Sequence, residues 1–165
     1  MLIMENNTTI PKLTVILDDV RSIYNVGSAF RTADAVGVGE IVLAGFTPGP
    51  DTHPERIQKT ALGAQQSVPW RRVKRVGDAI RRLRSAGAMI VALETGEASV
   101  DYRAFKPLWP LVVVVGNEVK GVSTRLLRSR RRITTGLRRD ASQSGTTLCN
   151  VGYTSHNVVD LIVQI

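Results

Sequence analysis

The residues best suited to chemistry lie in a Gly-Asn-Glu-Val-Lys-Gly hexapeptide, residues 116–121, at the end of a run of four valines. Gly116 and Gly121 bracket Asn117 and Glu118, so backbone can approach a ligand closely while an amide and a carboxylate face it. The same glycines also suit an ordinary strand-to-helix turn. A second set precedes it in DDVRSIYNVGSAFRTAD, residues 18–34, where Asn25 and Gly27 stand at the start of a helical pattern and Arg31 about two turns on. A helix start with a guanidinium about 9 Å along the axis suits a phosphate. Asn25 alone equally suits a simple N-cap. Arg31 has the stronger functional claim, because its neighbours Phe30 and Ala33 point to a core while an arginine there needs a partner or solvent. A third place is Thr95-Gly96, directly after the apolar run 89–94.

These residues share a context. Apolar runs of strand length recur at 13–17, 40–46, 89–94 and 111–117, separated by helical patterning. This rhythm predicts an α/β fold with a parallel sheet buried on both faces. In such a sheet ligands bind beyond the carboxyl ends of the strands, which is where all three candidate stretches fall. The spacing of Val26, Ala29, Phe30, Ala33 and Val36 predicts a helix over 25–36 with Asn25 as its cap. Further helices are expected at 76–86, at 123–128 and over the stripe Leu148 to Val163, with a long polar loop at 134–147. With 165 residues and no linker-like stretch, the chain is expected to form one domain spanning 1–165.

Charge carries functional information. Lys and Arg number 22 against 14 Asp and Glu, a net +8 that favours a polyanionic partner. The excess is clustered at Arg71, Arg72, Lys74, Arg75, Arg81, Arg82 and Arg84 and again across 128–139. Arginine predominates, and its planar fork binds phosphate bidentately; the bland alternative is a pair of solvated basic faces. With one cysteine, Cys149, no intrachain disulfide can form, and the two histidines are not spaced as a metal cage. No apolar run approaches the ~20 residues of a membrane span. A cytoplasmic, metal-free protein is expected. The chain lacks GxxxxGK[ST] and GxGxxG, which weakens nucleotide hydrolysis and dinucleotide binding as functions.

Taken together, NVGSAFRTAD (25–34), KTALGAQQSVPW (59–70) and LVVVVGNEVKGVS (111–123) resemble, in order, the motifs of the SpoU (TrmH-like) branch of the knotted RNA methyltransferases. The resemblance implies an α/β fold with a C-terminal trefoil knot, S-adenosylmethionine held in that knot, a homodimer, and methyl transfer to a ribose 2′-hydroxyl of RNA, tRNA favoured over rRNA. Carried over by motif position, it makes Asn25, Arg31, Asn117 and Glu118 the catalytic set. Cofactor contacts would come from Leu93, Glu94, Thr95, Gly96 and Gly116, from Ile133, and from Leu148 and Asn150. Arg21, Arg31, Arg71, Arg72, Arg81 and Arg82 would meet RNA.

The third family motif, a short loop followed closely by Ser-Leu-Asn-Val, is altered. Here Ile133-Thr134-Thr135-Gly136 precedes a longer loop and then Thr147-Leu148-Cys149-Asn150-Val151. The alternative function is therefore an RNA-binding protein of the same fold that has lost catalysis, for which the arginine clusters serve equally well.

Overall fold

The computed structural model describes residues 11–94, 100–101, 104–122 and 131–134. The described residues form seven strands and four helices: β1 Leu13–Asp18, α1 Ile23–Val36, β2 Glu40–Ala44, α2 Pro54–Ala61, α3 Ala64–Ser67, β3 Trp70–Val73, α4 Val76–Ser85, β4 Met89–Leu93, β5 Val100–Asp101, β6 Leu111–Val115 and β7 Arg131–Thr134. The expected α/β class with a parallel sheet is observed. The strands lie in the order β3-β2-β1-β6-β4-β7-β5, and every pairing is parallel.

The sheet is buried on both faces, which explains why its central strands are continuously apolar rather than alternating. Alternate residues of one strand serve two cores. Val15 and Leu17 of β1 pack with Val26, Phe30 and Ile57 on the α1–α2 side, while Ile16 joins Ala79, Ile80 and Leu83 of α4 on the other. Burying one such aliphatic side chain contributes about 1.5–3 kcal/mol, so this two-sided burial fixes the sheet firmly enough to align its carboxyl ends.

Helix α1 begins two residues earlier than its apolar spacing predicts. Ser22, with extended backbone, is its N-cap and accepts from the Asn25 amide at 3.3 Å. Asn25 is thereby released from the capping role expected of it. Gly37, in the left-handed conformation, closes the helix by donating to the carbonyls of Ala33 and Asp34. Gly27 lets α2 come close, since a Cβ there would strike the side chain of Thr60. The segment 59–70 thus packs on the first motif: Ser67 donates to Asp34 at 2.7 Å, and Trp70 meets Phe30 edge-on at 6.5 Å.

Five described elements, α2, α3, β3, β5 and β7, have no counterpart among the expected elements. Helix α2 buries only Ile57 and Ala61, too few apolar positions to show a period. Strand β3, Trp-Arg-Arg-Val, lacks an apolar run because it lies at the sheet edge and pairs with β2 alone. The expected helices at 123–128 and 148–163, the loop from 135 onward and the segment assigned to a knot lie outside the described residues.

Candidate active site at the carboxyl end of the sheet

Strand order reverses at β1. The chain first builds outward through β2 and β3, then places β4 and β6 on the opposite side, so β1 and β6 flank a topological switch point. Leu17 is aligned with Val115, which brings the loop after β1 beside the hexapeptide after β6.

Glu118 joins the two. One carboxylate oxygen accepts the Arg21 amide, and the other accepts the Ser22 amide and the Asn25 side-chain amide, each at 2.9 Å. The Asn25–Glu118 contact spans 93 residues of chain and ties together the two motifs richest in candidate residues. Burial alone would push this carboxyl up. The backbone amides of Arg21, Ser22 and Glu118 itself, with Asn25, outweigh that effect and hold its pKa below the ordinary glutamate value. With its oxygens committed to three donors, Glu118 is placed to hold the loop rather than to take up a proton.

Asn117 performs the second half of the clamp. Its side-chain N–H donates to the Asp19 carbonyl at 2.8 Å, while its side-chain oxygen accepts the amides of Val119 and Lys120 at 2.9 and 3.0 Å. Asn117 and Gly121 also exchange backbone hydrogen bonds at 3.2 and 2.8 Å, closing the hexapeptide on itself. Gly116 is required by that closure, because a Cβ would run into the backbone of Gly121 and Val122. The close approach expected at Gly116 is therefore made by the chain's own returning arm. Gly121, at φ 66°, lies in the left-handed region, and a Cβ there would meet the Glu94 carboxylate.

Glu94 supplies a connection that sequence did not show. Its carboxylate accepts the Val122 amide at 2.7 Å, bracing the end of β4 against the end of the hexapeptide. The register sets Leu93 between Val115 and Ile133, so the ends of β6, β4 and β7 lie side by side. Of the expected cofactor contacts, Leu93, Glu94, Gly116 and the backbone of Ile133 are brought to one edge. Thr95, Gly96, Leu148 and Asn150 lie outside the described residues.

Arg31 is not brought into this cluster. It is exposed on α1, on the stripe formed by Tyr24, Ser28, Arg31 and Ala35, whereas Asn25 turns inward to Glu118. The other arginines divide. Arg21 and Arg82 are exposed. Arg72 forks onto Asp51 through two hydrogen bonds of 2.7 Å and donates a third to the Thr47 carbonyl, also at 2.7 Å. The Arg72–Asp51 hydrogen bonding, ahead of burial, which opposes it, holds the Asp51 carboxyl below its ordinary value. Arg71 pairs with Glu40 at 2.8 Å, and Arg81 pairs with Asp78 one helical turn away. The donors that made Arg71, Arg72 and Arg81 candidates for phosphate are thus engaged, wholly or in part, within the chain. Ser22 and Asp19, which hold the loop together, were not singled out from sequence. The signal available for Ser22 was its place three residues before Asn25.

Among the described residues no group of three or more His, Cys, Asp and Glu side chains could hold a metal ion, and no helix is long and apolar enough to cross a membrane.

A parallel α/β sheet whose loops after β1 and β6 meet at a switch point has the architecture in which α/β proteins bind ligands. The chain belongs to the SpoU rRNA Methylase family, whose profile matches residues 12–135. It is 33% identical over 120 residues to a tRNA (guanosine(18)-2′-O)-methyltransferase of Escherichia coli K12, covering 71% of this chain and 49% of that protein. It is 34% identical over 110 residues to a 23S rRNA (guanosine-2′-O-)-methyltransferase of Vibrio vulnificus, covering 67% of this chain and 43% of that one. An AdoMet-bound rRNA methyltransferase from Sinorhizobium meliloti superposes with a TM-score of 0.69 at 30% identity, over 92% of this chain and 53% of that chain. The chain spans about half the length of the curated relatives it matches.

Proposed function

We propose that this chain is an S-adenosylmethionine-dependent RNA methyltransferase that modifies a ribose 2′-hydroxyl, with tRNA favoured over rRNA as substrate. The observation that carries the proposal is the Asn25–Glu118 contact, which assembles the two chemistry-bearing motifs at the switch point of the sheet. The names of the relatives on both tRNA and 23S rRNA support the substrate class. A cytoplasmic site of action accords with such a substrate.

The residues present fit the cofactor. Main-chain groups of Leu93, Glu94, Gly116 and Ile133 end in a row, as backbone recognition of an adenine needs, and Glu94 braces that row through Val122. When bound, S-adenosylmethionine supplies an electrophilic methyl group. Glu118 and Asn117 hold the 19–25 loop in one conformation, so that the RNA meets a preorganised surface. Arg31 binds and activates the ribose-phosphate. Its guanidinium stays protonated at any working pH and cannot serve as the base that removes the hydroxyl proton.

Arg31 lies off the Glu118 cluster of its own chain, which supports a homodimer in which Arg31 of one copy completes the cluster of the other. Mapping 2′-O-methylated positions in total RNA with and without the gene tests the activity. Loss of one or a few methylated positions is expected; an unchanged map refutes the proposal. Calorimetry with S-adenosylmethionine separates the enzyme from a non-catalytic RNA-binding protein, since the latter gives no saturable binding.

A further inference from the structure

The loop after β2 ends in an unusual way. Phe46 is 96% exposed, yet the backbone around it is pinned at every step. The Phe46 amide donates to the Asp19 carboxylate at 2.9 Å, and the Gly45 amide donates to the Val73 carbonyl at 3.2 Å. Thr47, fully buried, donates its hydroxyl to the carbonyls of Leu17 and Ala44 at 3.0 and 2.8 Å and accepts the Val20 amide at 3.1 Å. Single exposed apolar residues are ordinary on protein surfaces, but most can swing or fold back. Phe46 differs in that its backbone mount is held at residues 45, 46 and 47.

The mount belongs to the candidate site. Asp19 receives Phe46 through its carboxylate and Asn117 through its carbonyl, so one residue links the ring's backbone to the catalytic hexapeptide. Around the same loop stand Tyr24, 66% exposed, and the exposed cations Arg21 and Lys120. An exposed aromatic ring on a held backbone, with an arginine and a lysine on the adjoining 19–25 and 117–121 loops, is the chemistry that takes a nucleobase by stacking while the cations meet its phosphates. A second copy of this chain or an acidic peptide would be served less well, because neither supplies a flat unsaturated ring at each phosphate-sized interval.

We propose that Phe46 is a base-stacking residue, on which an unpaired nucleobase of the substrate RNA rests beside the 19–25 and 117–121 loops. This rests on the RNA-methyltransferase function proposed above and adds to it a specificity-determining residue: the base must be unstacked from its neighbours to reach the ring.

The test uses the full chain and a single-stranded oligoribonucleotide carrying 2-aminopurine, whose fluorescence falls on stacking, with total tRNA as competitor. Wild-type protein is expected to quench the probe. Phe46→Leu is expected to lose the quench and bind about 5- to 150-fold more weakly, while Phe46→Trp retains both. Because the side chain is solvent-exposed, both variants should melt at the wild-type temperature, and sedimentation should give the wild-type oligomer. Equal quenching and affinity in Phe46→Leu overturns the stacking role and leaves the RNA function standing. An altered oligomeric state in Phe46→Leu also overturns it, by assigning the ring to a subunit contact. If wild-type protein binds neither probe nor tRNA, the RNA function itself falls, and the stacking role with it.

Discussion

The two faces of helix α1 do different work. On the inner face, Asn25 is spent on Glu118, and Val26, Phe30 and Ala33 are spent on the core. On the outer face, Tyr24, Ser28 and Arg31 are exposed, and among the described residues no hydrogen bond or ion pair holds the Arg31 guanidinium. Residues of one helix, at most nine positions apart, thus divide into builders of the site and a residue left over for substrate. The motif as a whole is one unit in sequence and two in function. Substitutions on the inner side should act on folding, and substitution of Arg31 on turnover.

The largest expected effect is on the outer face. Arg31→Ala should lower methyl transfer by about 10²- to 10³-fold, the size of losing one charge-stabilising donor, while S-adenosylmethionine affinity and melting temperature stay put. A tritiated-methyl transfer assay beside calorimetry measures both. A fall in cofactor affinity of similar size would erase the division between the faces.

Next comes Asp18, a second carboxyl at the same edge of the sheet, with a pKa shifted in the opposite sense to that of Glu118. Burial first, and the neighbouring Asp19 second, raise its pKa from 3.8 to about 6. A carboxyl raised on folding costs stability when ionised: the cost is absent below the unfolded value near 3.8 and complete above about 6. Asp18→Asn should therefore stabilise the protein near pH 8 by up to about 3 kcal/mol, and the gain should shrink to nothing toward pH 4. Urea unfolding at the two pH values decides it; an equal gain at both would place the cost in packing rather than in charge.

The smallest effect is on the inner face. Asn25→Ala removes one donor from Glu118 and should destabilise by about 1 kcal/mol. Glu118 is held below its ordinary pKa, so its contribution is complete above 4.5 and is lost as pH falls through the lower, folded value. In Asn25→Ala this acid limb of the stability curve should become shallower, and a limb identical to wild type would remove Asn25 from the clamp.

How much of this was legible in sequence follows from which forces are local. The strands 13–18, 40–44, 89–93 and 111–115 are two-sidedly buried, and burial prints itself as apolar runs. Helix α1 was legible for the same reason, apart from its cap, where Ser22 competes with Asn25 on equal chemistry. Strand β3 and helix α2 were not, because an edge strand and a sparsely buried helix need few apolar residues. The site stretches after β1 and after β6 were legible as strand-end turns, while Thr95-Gly96 lies outside the described residues. Their connections were not: Glu118 to Arg21, Ser22 and Asn25, Asn117 to Asp19, and Glu94 to Val122 are all long-range contacts to amides or carbonyls, and no side-chain pattern encodes them. The ion pairs Arg72–Asp51 and Arg71–Glu40 escaped because their partners stand 21 and 31 residues away in sequence, which is why both arginines looked free for RNA.

The division of α1 is tested most directly by mixing two inactive variants. Arg31→Ala keeps the Glu118 clamp, and Glu118→Ala keeps Arg31. If Arg31 of one copy serves the clamp of the other, random mixed dimers restore about a quarter of wild-type methyl transfer, since half the dimers carry one intact site of two. If the mixture stays as inactive as either parent while dimers exchange freely, Arg31 works within its own chain and the account is contradicted.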